Sequence, residues 1–381
     1  MRTISSTNYT LRIPNATHYA FNPALVRVIA TGATAVSATI TVTAYDDEGN
    51  ARTFNETRDL FNGEATFNIA RFLQIIFDGK ERIFAPFDLD DICISDNVKH
   101  VNAYVVINNN NNTVTPTSPF KIDAIWGALT RGESSGGAMR RTWFVNFPFS
   151  IDFTSKYGDP VDVTVDGQPS HGVSFWDHNE EDTDGWATPY LHAMIDVSRF
   201  IDPRTVDKSV HIAFPHGIVC KNDEERIGLT AYTLTIDRTP VDSDKHVYLR
   251  WIDNQGRVCY YLFKRVGSAT AVTGSSWQHD NGNVPVAYDH GTAIETNARQ
   301  TFAAQKSLTI GAKLVDEEMF AFLLTCAKSP VVDVFDGYSD TDGAPLWHRV
   351  NVVAANYAQT TKAHQDFTMT INEPAQTLQS L

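Results

Sequence analysis

The sequence predicts a mainly β protein, built as two or three β-sandwich or barrel domains with a few short helices. Three observations predict it. Apolar and polar residues alternate strictly over many short runs, turn-forming clusters close those runs, and helical spacing is scarce. At 381 residues, 42% hydrophobic and 11% aromatic, the chain has material for several packed cores.

The first clear strand places Val36, Ala38, Ile40, Val42 and Ala44 on one face, with Ser37, Thr39, Thr41 and Thr43 on the other. It ends at the turn cluster Asp46-Asp47-Glu48-Gly49. A short helix is expected over Asn68–Phe77, where Ile69, Phe72, Leu73 and Ile76 share a face and Gly79 follows. Asn108–Asn112 and the run through Pro119 read as a polar, extended loop.

Arg131–Gly137 reads as a Gly/Ser-rich loop. Val161, Val163 and Val165 alternate before Asp166-Gly167, and Tyr232, Leu234 and Ile236 alternate with Thr233, Thr235 and Asp237. A helical turn over Val197–Ile201 is stopped by Pro203. Asn68-Ile-Ala-Arg-Phe-Leu73 and Asp196-Val-Ser-Arg-Phe-Ile201 share only Arg and Phe. That leaves two readings open, a duplicated β-domain or two unrelated strand-to-helix turns.

Val247–Trp251 and Arg257–Phe263 flank Asp253-Asn254-Gln255-Gly256 as a hairpin, with Gly256 supplying the positive φ. Gly267–Gly291 is a long polar stretch without period. Asp316–Ala327 has Phe320, Leu323, Leu324 and Ala327 on one helical face, Asp316 as its cap and Pro330 beyond its end. Phe367, Met369 and Ile371 alternate before Glu373-Pro374. The domain boundaries read from these patterns are 1–125, 126–245 and 246–381, the last carrying the helix 316–327.

Net charge is 31 − 45 = −14, spread along the chain. Such a chain is ill suited to clamping phosphates and suits a surface past which nucleic acid slides. No apolar run is long enough to span a bilayer, and the first residues lack a secretory signal. Cys93, Cys220, Cys259 and Cys326 are scattered, and Cys259 and Cys326 sit in apolar runs as expected of buried thiols. The expectation is a soluble protein made in a reducing cytoplasm, with no membrane insertion.

The motifs that carry chemistry fail on inspection. Gly132-Glu133-Ser134-Ser135-Gly136 has the letters of a nucleophile elbow, but a strand-like segment follows where a helix is required. Gly127 through Ser134 approaches a phosphate-binding loop, with Glu133 where the lysine must stand. Asp177–Gly185 lacks calcium-loop spacing, and it and the similar cluster Asp336, Asp340, Asp342 before Gly343 read as solvated, turn-forming loops, with an ion site as the alternative for each.

His211, His216 and Cys220 lack a fourth ligand nearby, and His279 and His290 lie in the polar stretch. Trp176, Trp186 and Trp277 lie in or near polar loops and are candidates for sugar stacking, while Trp251 reads as core. No catalytic, cofactor-binding or metal-ligating residue is assigned, no cofactor is expected, and the chain reads as non-enzymatic.

Several passages resemble structural proteins of bacteriophages that infect gut Bacteroides-type bacteria. They are Val247 through Phe263, Arg141 through Phe149, and the closing run from Leu308 through the helix, Ser329–Val334 and Trp347–Val350 to Phe367–Pro374. The closing order of strand, short helix, strand and final strand pair is similar to the tail-tube-like β-barrel of phage tails. The resemblance implies a tail-tip, distal-tail or hub component of the tail or baseplate, located in the virion. It implies a homo-oligomeric ring around the DNA channel that joins neighbouring tail proteins, with DNA passing without specific binding. It brings no catalytic residues. Asn108–Pro119 and Gly267–Gly291 are then expected to be arms, mobile in the free chain and ordered against neighbours. The alternative function is a carbohydrate- or receptor-binding, adhesin-like β-sandwich module using the tryptophan-bearing loops.

Overall fold

The structure is a computed structural model. It describes the chain apart from residues 33, 46–49, 78–91, 96–97, 130–136, 157–160, 167, 174–189, 200, 214–228, 243, 279–296, 354–356, 359–362, 375 and 381. The fold is mainly β, as the alternation predicts, and divides into two compact units. One comprises Met1–Thr239 with Asp253–Val258, the other Pro240–Ile252 with Cys259–Leu381.

The first unit opens with β1 (Arg2–Ser5), β2 (Tyr9–Ile13), β3 (Thr17–Tyr19), β4 (Leu25–Ala30), β5 (Ala35–Tyr45), β6 (Ala51–Asp59) and β7 (Glu64–Asn68). Helix α1 (Ala70–Ile75) precedes β8 (Ile92–Ser95), β9 (Val98–Asn109), β10 (Val114–Pro116) and β11 (Phe120–Ile125). One sheet runs β1-β2-β4-β7 and the other β3-β11-β9-β5-β6, with β10 on β9. Leu11, Val26, Val28 and Phe67 of the first sheet share a core with Ile40, Val42, Val105 and Ile122 of the second. The inward face of β5 is the predicted one over Ala38, Ile40, Val42 and Ala44. Val36 instead is 47% exposed, because the pairing of β5 with β9 bulges between Ala35 and Ser37.

The same unit continues with β12 (Gly137–Phe144), β13 (Ser150–Lys156), β14 (Val161–Val165), β15 (Gln168–Val173), β16 (Tyr190–Asp196), a 3-10 turn at Val197–Arg199, β17 (Ser209–Ala213) and β18 (Leu229–Asp237). These strands repeat the first topology. The order β12-β18-β17-β14-β15 matches β3-β11-β9-β5-β6, and the pair β13-β16 matches β4-β7. In both copies the first strand pairs parallel to the last, Tyr19 opposite Ile125 and Phe144 opposite Asp237. The backbone repeats as well. Ala20 N donates to Ile125 O at 2.8 Å and Val145 N to Asp237 O at 2.9 Å; Ile69 N donates to Ala24 O at 2.9 Å and Val197 N to Phe149 O at 3.2 Å. Of the two readings left open, the duplicated β-domain is the one the chain adopts. The copies differ at their sheet edges: β1 and β2 flank β4 and β10 joins β9 in the first, without counterparts among the described strands of the second, while β8, from the α1–β9 connection of the first, pairs with β16 of the second.

The two expected helical segments are shorter than their spacing suggests. Asn68 ends β7, and its Oδ1 accepts from Ala70 N at 3.2 Å, so α1 begins after it and Ile76 closes it. Asn108–Pro119 is a correction. It is not a loose arm, because β9 runs to Asn109, turns through Asn112 (φ +61°) and returns as β10. The asparagines that read as loop formers supply the turn's bonds: Asn109 N donates to Thr113 O at 2.9 Å and Thr113 N to Asn111 Oδ1 at 3.2 Å.

Residues Asp253–Val258 complete the first unit. Asp253 Oδ1 accepts from Gln255 N at 2.8 Å and Arg257 N at 3.0 Å, and buried Asp152 Oδ2 accepts from Val258 N at 2.8 Å. Gly256 has φ +80°, and a Cβ there would stand 2.0 Å from Trp126 O. Only glycine fits, for both reasons.

The second unit holds β19 (His246–Ile252), β20 (Val258–Gln278, its first residue lying in the other unit), β21 (Asn297–Val315), helix α2 (Glu317–Lys328), β22 (Val332–Tyr338), β23 (Pro345–Val352), β24 (Gln365–Asn372) and β25 (Gln376–Ser380). The order is β20-β19-β22-β23-β24-β21-β25, and β20 also pairs with β21, so the sheet closes on itself with β25 outside the ring. Its core takes Leu249, Trp251, Phe263, Ile310, Phe367 and Ile371 from the strands and Phe320, Leu323 and Cys326 from α2. Asp316 caps α2 as expected, its side chain accepting from Met319 N at 2.8 Å.

Candidate assembly surface

The sequence-predicted site residues do not converge. Residues 130–136 with Ser134, the acidic run 177–185, and Trp176, Trp186, His216, Cys220, His279 and His290 lie outside the described residues. Trp277 is on β20, its side chain likewise outside. His211 lies on β17, where its backbone N donates to Asp166 Oδ1 at 2.8 Å. In the C-terminal acidic cluster, Asp336 Oδ1 lies 2.8 Å from His348 Nδ1, and Asp342 Oδ1 accepts from Ala344 N at 3.1 Å. These are turn and pair interactions, and among the described residues no three His, Cys, Asp or Glu side chains are grouped to hold a metal ion.

Trp251 is fully buried, its Nε1 donating to Thr325 Oγ1 at 2.9 Å. Cys259 and Cys326 are buried thiols. Burial pushes the Cys326 thiol well above its ordinary range, with Cys259 adding to it, which opposes formation of a reactive thiolate.

What stands out is a ribbon. The stretch expected to be an unstructured arm from Gly267 is strand as far as Gln278, paired antiparallel with β21 from Lys264↔Gly311 to Gln278↔Asn297. Residues 279–291 lie outside the described residues. Near the barrel, β21 lies between β20 and β24, and Gly311 permits the approach: a Cβ there would stand 2.6 Å from Phe367 O. Farther out, β21 is joined by β25 at Thr301–Ala304.

The other edge of β20 is different. Arg265 N donates to Lys245 O at 2.8 Å, β19 extends no farther, and beyond that point no strand among the described residues pairs with it. Val266 and Val272 are 60% and 58% exposed. Bulges at Arg265/Gly267 and Ser275/Ser276 turn the ribbon.

Its composition sets it apart. Residues 264–278 and 297–307 contain Lys264, Arg265, Arg299 and Lys306 and no acid, in a chain of net charge −14. Lys306 pairs with Glu373 at 3.0 Å. Sequence reading missed the ribbon because the small residues of Ser268–Thr273, exposed on both faces, leave no hydrophobic period. It also missed the buried Asp333 between Arg250 and Arg349, whose partners are far apart in the chain.

No protein-family model matches the chain, and no curated protein matches it. No helix among the described residues is long and apolar enough to cross a membrane.

Proposed function

We propose that the chain is a structural component of a bacteriophage tail or baseplate. It assembles with copies of itself into a ring around the DNA channel and joins neighbouring tail proteins. The observation that carries this reading is the β20–β21 ribbon. An exposed strand edge is a template for another chain's strand, and proteins that stay monomeric blunt such edges with charge, proline or bulges. Between Val266 and Gln278 the edge has no charge and no proline, and between its two bulges the ribbon is regular from Gly267 to Ser275.

A closed ring gives every copy the same two contacts, so a projecting ribbon on one side meets an acceptor on the next. The charge distribution supports this: a basic ribbon on an acidic body attracts a neighbour's body in every copy. The acidic remainder suits a wall that DNA passes without binding. The closing strand–helix–strand order of the second unit supports the tail-tube-like assignment.

The test is light scattering and electron microscopy of the purified full chain and of an edge-blunted variant, Ala269→Glu with Ala271→Glu. The expected result is a discrete ring for the natural chain and a folded monomer for the variant. A monomer at every concentration, or rings indifferent to the two glutamates, overturns the reading.

A further inference from the structure

The two copies of the duplicated fold differ in what lies beside one matching strand. In the first copy β7 ends its sheet, and no described strand pairs with it along the side away from β4. In the second copy the matching strand β16 carries β8 on that side, paired antiparallel from Ile92↔Ile195 to Ser95↔His192. The places correspond residue by residue. Asn68 and Asp196 stand opposite Leu25 and Ser150 at the ends of the matching pairs. Counting back from them, Phe67, Thr66, Ala65 and Glu64 hold the places of Ile195, Met194, Ala193 and His192.

The β7 edge is open to a strand. On the side away from β4, Glu64 N donates to Phe61 O at 3.0 Å and Phe61 N to Glu64 O at 2.9 Å, so Phe61 takes the place that Ser95 takes in the second copy. Two residues on, exposed Thr66 turns its N–H and C=O the same way. By then β6 has left β7 to pair with β5, from Asp59↔Ser37 onward. Ala65 and Phe67 are buried on the core face. Arg58 lies over the Phe67 ring, 5.8 Å from its centroid, and its side chain, 48% exposed, can swing into solvent to admit a strand.

We propose that the β7 edge is a docking site for an extended segment of another protein, added antiparallel as β8 is added to β16. Backbone bonds at Thr66 hold it. Opposed residues of an antiparallel pair share a face, so the residues opposite Phe67 and Ala65 turn to the core. The segment therefore carries apolar residues at alternate positions, as Ile92 and Ile94 stand opposite Ile195 and Ala193. A further copy of this chain is the poorer donor. Residues 201–208, which correspond in the second copy to the α1–β9 connection, fold as a turn, with Thr205 N and Val206 N donating to Asp202 O. The ribbon has no apolar period. The site rests on the duplication and not on the tail reading.

The test is fluorescence anisotropy of a labelled peptide, Lys-Ile-Ser-Ile-Ser-Lys, titrated with the full chain. Its centre is the β8 sequence with serine in place of Cys93. Binding is expected below about 1 mM, the weak range of a short strand added without pockets. Hydrogen exchange should slow in Glu64–Asn68 and not along β20. The same peptide N-methylated at its first serine, the residue opposite Thr66, should bind about tenfold more weakly for want of one backbone donor. Thr66→Pro removes the matching N–H of the chain and should weaken binding as much. Circular dichroism melting reports whether that variant folds, and where it does not, the N-methylated peptide decides alone. Absence of binding overturns the proposal, as does equal binding of the N-methylated peptide or protection at β20 in place of β7. Self-association of the full chain that Thr66→Pro abolishes also overturns it, since the occupant would then be a second copy.

Discussion

Asn68 and Asp196 do the same work in two copies of one fold. Each ends the strand before a helical turn, and each side-chain Oδ1 accepts the backbone N two residues on, from Ala70 at 3.2 Å and from Ser198 at 2.9 Å. The residue after each is buried, Ile69 at 0% and Val197 at 1% exposure, and its carbonyl accepts from Leu73 N and Ile201 N respectively. Asn68 Oδ1 also accepts from Ala24 N at 3.2 Å, tying β7 to the start of β4. Asn68→Asp and Asp196→Asn should therefore leave stability nearly unchanged. Asn68→Ala should cost about 1–2 kcal/mol, the loss of local capping bonds. Urea denaturation of the three variants measures this. An Asn68→Ala chain as stable as the natural one would remove the turn from the account of how the copies fold.

The duplication shows where sequence reading succeeds and where it stops. Alternation over Ser37–Ala44 and Tyr232–Ile236 was legible because one face of each strand meets a core and the other does not. The common topology was not legible, because topology resides in backbone pairing. Tyr19 with Ile125 and Phe144 with Asp237 hold the same place without sharing a residue type. The ribbon was illegible for the opposite reason. With both faces in solvent, Ser268–Thr273 faces no selection for period, and Gly267 and Ser268 read as loop. The open edge of β7 was illegible too, since which strand ends a sheet is decided by pairing.

Helix α2 is fixed to the barrel by its inward side chains. Leu323 is 0% exposed and Phe320 meets Phe367 edge-on at 5.4 Å. Leu323→Ala should cost about 2–5 kcal/mol, since the barrel wall behind it cannot collapse into the space. Denaturation with guanidinium, monitored by tryptophan fluorescence, to which Trp251 beside Phe322 contributes, reads the change. A shift too small to resolve would mean that the helix is not part of the barrel core.

His18 gives the first unit a pH dependence with a definite sign. Burial holds its imidazole below the ordinary value of 6.5, while the Asn22 carbonyl, 3.4 Å from Nε2, opposes that shift. The unfolded chain therefore takes up a proton on His18 at a pH where the folded chain does not. Folding stability falls as pH drops from 6.5 toward the lowered folded value, and the loss is complete below it. Between about pH 7 and about pH 5 the natural chain should lose more stability than His18→Gln, which keeps a polar side chain without the titration. Equal losses in both chains would show that carboxylates elsewhere account for the acid sensitivity.

The buried Asp333 makes the most exacting prediction. Its carboxylate, 3% exposed as a residue, takes Arg250 Nε at 3.0 Å on one oxygen and Arg349 Nε on the other. Arg250 also lies over the Trp347 ring, 4.4 Å from its centroid. Burial pushes the Arg250 guanidinium below its ordinary value, and Tyr260 and Asp333 counter that by favouring the charged form. Removing Asp333 leaves the Arg250 cation in a poorly solvated place, and loss of one partner of a buried pair costs about 3–5 kcal/mol. Arg349 is 46% exposed at its side chain and can turn to solvent, so Arg349→Ala should cost about 1 kcal/mol or less. The pair Asp333→Leu with Arg250→Met removes both charges while keeping bulk against Trp347. It should recover most of what Asp333→Leu alone loses, because the charge left behind is the chief cost. A double-mutant cycle by urea denaturation decides the point. If the double variant is no more stable than Asp333→Leu alone, the stranded-charge account fails, and the carboxylate must be holding β19, β22 and β23 together by its hydrogen bonds.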